Sequence, residues 1–311
     1  MTNTPASKYD SIVILGPTAS GKTTLAAHLA ATIGGEIISA DSRQIYRKMD
    51  IGTGKDLDDY VVNGEKIPFH LIDIREPGYK YNVYEYQTDF FNVFADIKGR
   101  EKFSIVCGGT GLYIEAVLRR FKMIHVPSNP ELRDSLNDKD LNELETILSR
   151  FRNLHNSTDT DTKKRAIRAI EIETYYSTHP EIEVELPKLN PLITGIESNR
   201  ETRREKITKR LHERLKSGMI EEVDSLLKVG LTSDDLIYYG LEYKYVTMFL
   251  IGQLHYNEMV EQLNIAIHQF AKRQMTWFRR MERNGFRINW LDANLPVDEK
   301  VNKVLKMMAE C

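Results

Sequence analysis

Residues 16–23, Gly16-Pro17-Thr18-Ala19-Ser20-Gly21-Lys22-Thr23, have the spacing G-x-x-x-x-G-K-[ST]. Chemistry follows from the residue types. The glycines let backbone N–H groups converge on phosphate oxygens, Lys22 neutralises a further oxygen, and the Thr23 hydroxyl can ligate Mg²⁺. All eight residues are therefore expected to bind a diphosphate or triphosphate, and ATP is the first expectation for such a loop. A carboxylate, Asp41, follows an apolar run at Glu36-Ile37-Ile38-Ser39. It could hold metal through water, take a proton from a nucleophile approaching the bound phosphate, or simply cap a helix.

These residues need a frame. Ser11 to Leu15 reads as a buried parallel strand running into Gly16, and Lys22 to Ile33 has helical composition. Glu36–Ser39, Phe69–Ile74 and Phe103–Val106 read as further strands, the last entering Gly108-Gly109-Thr110-Gly111. Strands alternating with helices predict an α/β fold, a parallel sheet with helices on both faces. Ligands of such sheets bind at the carboxyl ends of the strands, so Asp41 is expected to face the loop from the strand next to it. From Asn129 to Thr178 the chain is charged and helical in composition, which predicts an all-helical insertion. The exit, His179 to Pro191, holds three prolines, Leu192–Ile196 returns to the sheet, and Glu201–Met281 is mostly helical. The expected division is 1–120 and 191–311 for the core, with 121–190 inserted.

Composition narrows the class. The 311 residues are 41% apolar and 28% charged, which excludes disorder. Cys107 and Cys311 are poor material for a disulfide framework, and the eight histidines show no metal-ligand spacing. Cys107 reads as a small buried residue. The N-terminus is polar and no apolar run approaches the ~18 residues of a membrane span. A soluble, cytoplasmic protein without a membrane partner is expected.

Four blocks carry a resemblance: the phosphate loop, Asp41-Ser42-Arg43-Gln44-Ile45-Tyr46, Met49-Asp50-Ile51-Gly52-Thr53-Gly54-Lys55 and Gly108-Gly109-Thr110-Gly111-Leu112-Tyr113. With Arg165–Glu171 and Gln269–Trp277, they resemble the tRNA dimethylallyltransferase (isopentenyltransferase) family in order and spacing along nearly the whole chain. The resemblance implies a P-loop NTPase-like core and transfer of a dimethylallyl group from dimethylallyl diphosphate to N6 of the adenosine 3′ of the tRNA anticodon. The loop would then hold a leaving diphosphate with Mg²⁺ on Thr23. The family role matching Asp41 is to orient N6 and take its proton, and that matching Arg210 is diphosphate binding. Residues matching Thr110 and Arg133 contact tRNA. Two departures stand out: Gly54 and Asp56 where the family usually has Ala and Pro around the lysine, and Glu242 where it usually has Gly before Tyr-Lys. Glu242 adds negative charge in a region that in the family lies near tRNA.

The net charge of −2, from 43 basic and 45 acidic residues, argues for nothing as a total, but position matters. Wound as a helix, 271–283 lines up Lys272, Arg273, Arg279, Arg280 and Arg283, with Phe270, Trp277, Phe278 and Met281 opposite, toward the core. Residues 200–216 hold eight Lys or Arg against three Glu; Ile207, Leu211 and Leu215 form a buried face edged by Arg203, Arg210 and Arg214. Lys163, Lys164, Arg165 and Arg168 form a third cluster. Together the runs predict a phosphate-backbone footprint. The expected tRNA-binding set is Asp41, Ser42, Arg43, Gln44, Thr110, Arg133, Lys164, Arg165, Arg168, Lys272 and Arg273, engaging the anticodon stem-loop as a monomer. Tyr79, Tyr81, Tyr84 and Tyr86 could stack on bases, though such spacing more often packs a core. Competing readings are an ATP-dependent small-molecule kinase, with Asp41 as base toward a hydroxyl, and a non-catalytic, nucleotide-gated RNA-binding protein.

Overall fold

The computed structural model describes residues 8–151, 160–179 and 185–310. The chain forms two compact units, Met1–Arg120 with Pro187–Cys311, and Phe121–Leu186.

In the first unit the strand β1 (Ser11–Leu15) leads through the phosphate loop into α1 (Lys22–Ile33), then β2 (Glu36–Ser39). A hairpin, β3 (Val61–Val62) and β4 (Glu65–Lys66), turns at Asn63-Gly64 and precedes β5 (Phe69–His70). Next come α2 (Val83–Gly99), β6 (Ser104–Gly108) and α3 (Gly111–Leu118). The Asn82 side chain starts α2 by accepting hydrogen bonds from Tyr84 N and Glu85 N, satisfying donors the first turn leaves open.

The second unit holds α4 (Pro130–Leu136), α5 (Leu141–Ser149) and α6 (Lys163–Thr178) around its own core of Leu136, Leu144, Leu148, Ala166 and Ile170. Expectations for 152–159 and 180–184 lie outside the described residues. The chain returns as β7 (Pro191–Glu197), α7 (Arg200–Lys216), α8 (Met219–Lys228), α9 (Ser233–Tyr238), α10 (Leu241–Leu250), α11 (Tyr256–Arg283), β8 (Asn289–Asp292) and α12 (Val297–Ala309). Among the described residues, no helix is long and apolar enough to cross a membrane.

Among the described residues, six strands pair in the order β5-β2-β6-β1-β7-β8, all parallel. Ile12 and Ile14 of β1 face a core shared with Leu25 and Leu29 of α1 and Val304 of α12. Val13 and Leu15, on the opposite face, are equally buried. Burial on both faces explains why β1 reads as an unbroken apolar run rather than an alternating one.

Two expectations are corrected. The strand read over Phe69–Ile74 stops at His70, because Leu71 (φ 60°) and Asp73 (φ 56°) take left-handed backbone that breaks the ladder. The strand bearing Asp41 is not next to the strand bearing the loop, since β6 lies between them.

Candidate active site

The loop joining β1 to α1 curls tightly around Gly16, where an added Cβ would lie 2.8 Å from the Ile196 carbonyl oxygen and 2.9 Å from Ser20 Oγ. Gly21 (φ 80°) ends the loop and starts α1 in left-handed backbone, so the helix N-terminus points out of the loop. The Ser20 hydroxyl is buried without a partner. Lys22 Nζ donates to the Pro17 carbonyl oxygen at 2.8 Å. Its pKa is lowered to about 8, by burial first and by Arg210, against the raising effects of Cys107 and Asp41.

Asp41 follows β2 and reaches the same space although β6 intervenes, because β6 ends in glycines. At Gly108 an added Cβ would lie 2.2 Å from the Ala40 carbonyl oxygen, so the chain leaving β2 lies directly against the end of β6, and Asp41 lines the same cavity as Lys22 and Thr23. Asp41 Oδ1 accepts from Arg43 N (2.9 Å), and Thr110 Oγ1 accepts from Ser42 N (3.0 Å). A cavity of about 520 Å³ opens there, lined by Thr18, Lys22, Thr23, Asp41, Thr110 and Arg210 among others. A neighbouring space of about 500 Å³ shares Lys22, Thr23 and Arg210 and adds Asp56, Asp59, Lys206 and Lys209. Asp41, Thr23 and Arg210 thus meet at one place.

Sequence reasoning missed the residues that hold this place together. Gln274, on α11, accepts from Thr18 N at 2.9 Å and donates to the Gly109 carbonyl oxygen at 2.9 Å, tying the phosphate loop to the turn after β6. Glu222, on α8, accepts from the backbone N–H groups of Asp50, Ile51 and Gly52 at 2.8, 2.7 and 3.0 Å. Lys55 is fully buried and bridges Asp50 (2.5 Å) and Asp73 while donating to the Tyr46 carbonyl oxygen at 2.6 Å. These contacts fix the segment that presents Asp56 to Arg210. A glutamine at helical spacing among the apolar residues Phe270, Phe278 and Met281, and a lysine inside a glycine-rich run, were the available signals.

The remaining site candidates divide. Arg43 is half-buried and donates to the Tyr238 carbonyl oxygen at 3.1 Å. Gln44 is buried, its amide spanning Ser39 Oγ at 3.0 Å and the Gly54 carbonyl oxygen at 3.2 Å. Lys272 and Arg273 are exposed on α11, and Arg273 lines the cavity. The stripe is not wholly free: Arg280 pairs with Glu115 at 3.0 Å and lies over the Trp277 ring at 3.9 Å. Nor is its apolar side wholly core, since Phe278 and Met281 are buried whereas Trp277 and the 39% exposed Phe270 line the cavity. Of the α7 face, Ile207 and Leu211 are buried and Leu215 half-buried.

Within the second unit Arg133 and Arg168 both grip the buried carboxylate of Glu171, Lys164 is exposed, and Arg165 pairs with Asp161 at 2.9 Å. Burial raises the pKa of Glu171, but hydrogen bonds from Arg133, the Asn129 N–H and Arg168 outweigh it and hold the carboxyl at about 2. Among the tyrosines, Tyr81 and Tyr86 are buried, Tyr84 is half-buried, and Tyr79 is 46% exposed with its hydroxyl on Glu85. Burial pushes the thiol of Cys107 up to about 12.

Comparison with known proteins identifies the family. Residues 44–281 match the family model for IPP transferase and residues 10–73 that for isopentenyl transferase. A tRNA dimethylallyltransferase 1 of Parabacteroides distasonis is 63% identical over 300 residues, 96% of this chain and 98% of that one. A tRNA dimethylallyltransferase 2 of Phocaeicola vulgatus is 61% identical over 301 residues, covering 97% and 98%. The crystal structure of the full-length tRNA isopentenylpyrophosphate transferase of Bacillus halodurans superposes with a TM-score of 0.70 at 29% identity, over 97% of this chain and 96% of that one. The sheet, the loop and these relatives lead to one conclusion: the chain belongs to the IPP transferase family of tRNA-modifying enzymes.

Proposed function

We propose that the chain transfers the dimethylallyl group of dimethylallyl diphosphate to N6 of the adenosine 3′-adjacent to the anticodon of tRNA. The observation that carries this reading is the meeting of Lys22, Thr23, Arg210 and Asp41 around one cavity, an anion-holding end facing a carboxylate. Lys22, Arg210 and the loop amides bind the diphosphate and stabilise the charge that grows on it as the allylic C–O bond breaks. Adenine N6 is a weak nucleophile because its lone pair is delocalised into the ring. Asp41 accepts a hydrogen bond from N6 and takes its proton as the N–C bond forms; the C–O bonding pair leaves with the diphosphate. Trp277, Phe270 and Leu112 supply an apolar wall for the allyl chain and for a base drawn out of its stack.

The donor set suits Mg²⁺ carried in on the diphosphate. Among the described residues no cluster of three His, Cys, Asp or Glu side chains could hold a metal alone, whereas Thr23 offers a hard hydroxyl oxygen beside the phosphate seat, and Mg²⁺ commonly relies on substrate phosphates and water. When bound, it would neutralise part of the leaving charge. Lys272, Arg273 and Arg279, exposed along α11, suit the phosphate backbone of the anticodon stem-loop. We take the enzyme to act as a monomer in the cytoplasm.

Incubating the pure protein with labelled dimethylallyl diphosphate, Mg²⁺ and unmodified tRNA tests the reading: label should move to the tRNA, without ATP. Label that stays on the diphosphate would refute it. A kinase acting on a small metabolite would leave the exposed arginines of α11 without a task.

A further inference from the structure

Arg214 sits one turn beyond Arg210 on α7, and only 13% of its side chain is exposed. Its guanidinium has five N–H donors, yet none of its contacts is a hydrogen bond. Nη2 stands 3.7 Å from Asp56 Oδ2, Nη1 stands 3.8 Å from Glu242 Oε1, and Nε is buried without a partner. A buried guanidinium N–H left without an acceptor is costly, and the Arg214 side chain lines the two spaces that also hold Lys22 and Arg210.

The surroundings make room for this group and hold it. Any side chain at Gly54 would land inside the Arg214 guanidinium and 2.8 Å from Arg210 Nη2. Asp56 pairs with Arg210 and lies near Arg214, so one carboxylate answers two neighbouring guanidinium groups. Glu242 faces Arg214 from α10, and burial raises its pKa. Gly54, Asp56 and Glu242 are also the positions at which the chain departs from the family pattern, and all of them meet at Arg214.

We propose that Arg214 is a second guanidinium of the diphosphate site, binding phosphate oxygens beside Arg210, with Gly54 leaving the space it occupies and Glu242 positioning it. This rests on the reading that the donor is an allylic diphosphate. Diphosphate oxygens would supply the acceptors that Asp56 and Glu242 stand too far away to provide.

The test uses inorganic diphosphate with Mg²⁺ as probe, titrated calorimetrically into the full-length protein. Arg214→Leu should weaken binding about ten- to a hundred-fold, the range of a lost charge-assisted hydrogen bond or two, and raise KM for dimethylallyl diphosphate while KM for tRNA stays put. Gly54→Ala, which evicts the guanidinium, should lose as much, and the double variant should be no worse than either single. Arg214→Lys should recover part of the loss, which also covers the case of a variant that folds poorly. Unchanged diphosphate affinity in Arg214→Leu, or additive losses in the double variant, would overturn the proposal. A wild-type protein that binds diphosphate but leaves tRNA unlabelled would instead overturn the prenyl-transfer reading.

Discussion

Gln274 and Thr18 are 256 residues apart in the chain, and the Gln274 side chain accepts a hydrogen bond from Thr18 N at 2.9 Å while donating to the Gly109 carbonyl oxygen at the same distance. One buried amide therefore sets the spacing between the phosphate loop and the turn beside Asp41. Gln274→Ala should keep the protein folded but lower kcat by about ten- to a hundred-fold, because small misplacements of reacting groups are costly in rate. Steady-state kinetics with both substrates would check this; wild-type kcat would contradict it.

Lys22 gives the donor site a pH limit. With its pKa lowered to about 8, mainly by burial, the ammonium proposed to meet the diphosphate is present below that pH and lost above it. KM for dimethylallyl diphosphate should be flat from pH 7 toward 8 and then rise, by up to about ten-fold per pH unit. A KM that stays level to pH 9.5 would remove the Lys22 charge from donor binding.

Arg210→Ala should raise KM for dimethylallyl diphosphate and slow its departure, costing about ten- to a thousand-fold in kcat/KM. The loss should appear against the donor and not against tRNA. Kinetics unchanged in both substrates would count against the role.

In the second unit Glu171 anchors Arg133 and Arg168, so its charge is structural there. Its pKa falls from an ordinary 4.5 to about 2, so the stabilisation is full above 4.5, declines as pH falls, and is gone below about 2. Glu171→Gln should destabilise this unit by about 1–3 kcal/mol at neutral pH, the range of lost charge-assisted hydrogen bonds, because the arginines left behind are 43% and 41% exposed and stay partly in water. The difference from wild type should shrink below pH 4.5. Hydrogen exchange of α6 amides would measure it, and equal protection in both proteins at pH 7 would contradict it.

Much of the core was legible because its elements are specified locally. Ser11–Leu15 is buried on both faces and reads so, and the glycine spacing of the loop states its own geometry. What escaped depends on distant partners. No local pattern announces that β6 enters between β1 and β2, nor that Gly108 lets Asp41 reach the loop across it. Lys55 stands out in its glycine-rich run, but nothing local says that Asp50 and Asp73 close around it. Arg280 reads as part of a free basic stripe, yet Glu115, 165 residues earlier, claims it. Strand β8 pairs only through β7, and its short sequence, Asn289–Asp292, gives no apolar run to detect.

The central claim, that Asp41 serves transfer to adenine N6 in a site built to release diphosphate, meets its most direct test in nucleoside mass spectrometry of unmodified tRNA treated with the enzyme and dimethylallyl diphosphate. Wild type should place one dimethylallyl group on N6 of the adenosine 3′-adjacent to the anticodon, and Asp41→Ala should reduce that product by orders of magnitude while binding tRNA nearly as tightly. A wild-type product at another atom or nucleotide, or an Asp41→Ala variant as active as wild type, would contradict the account.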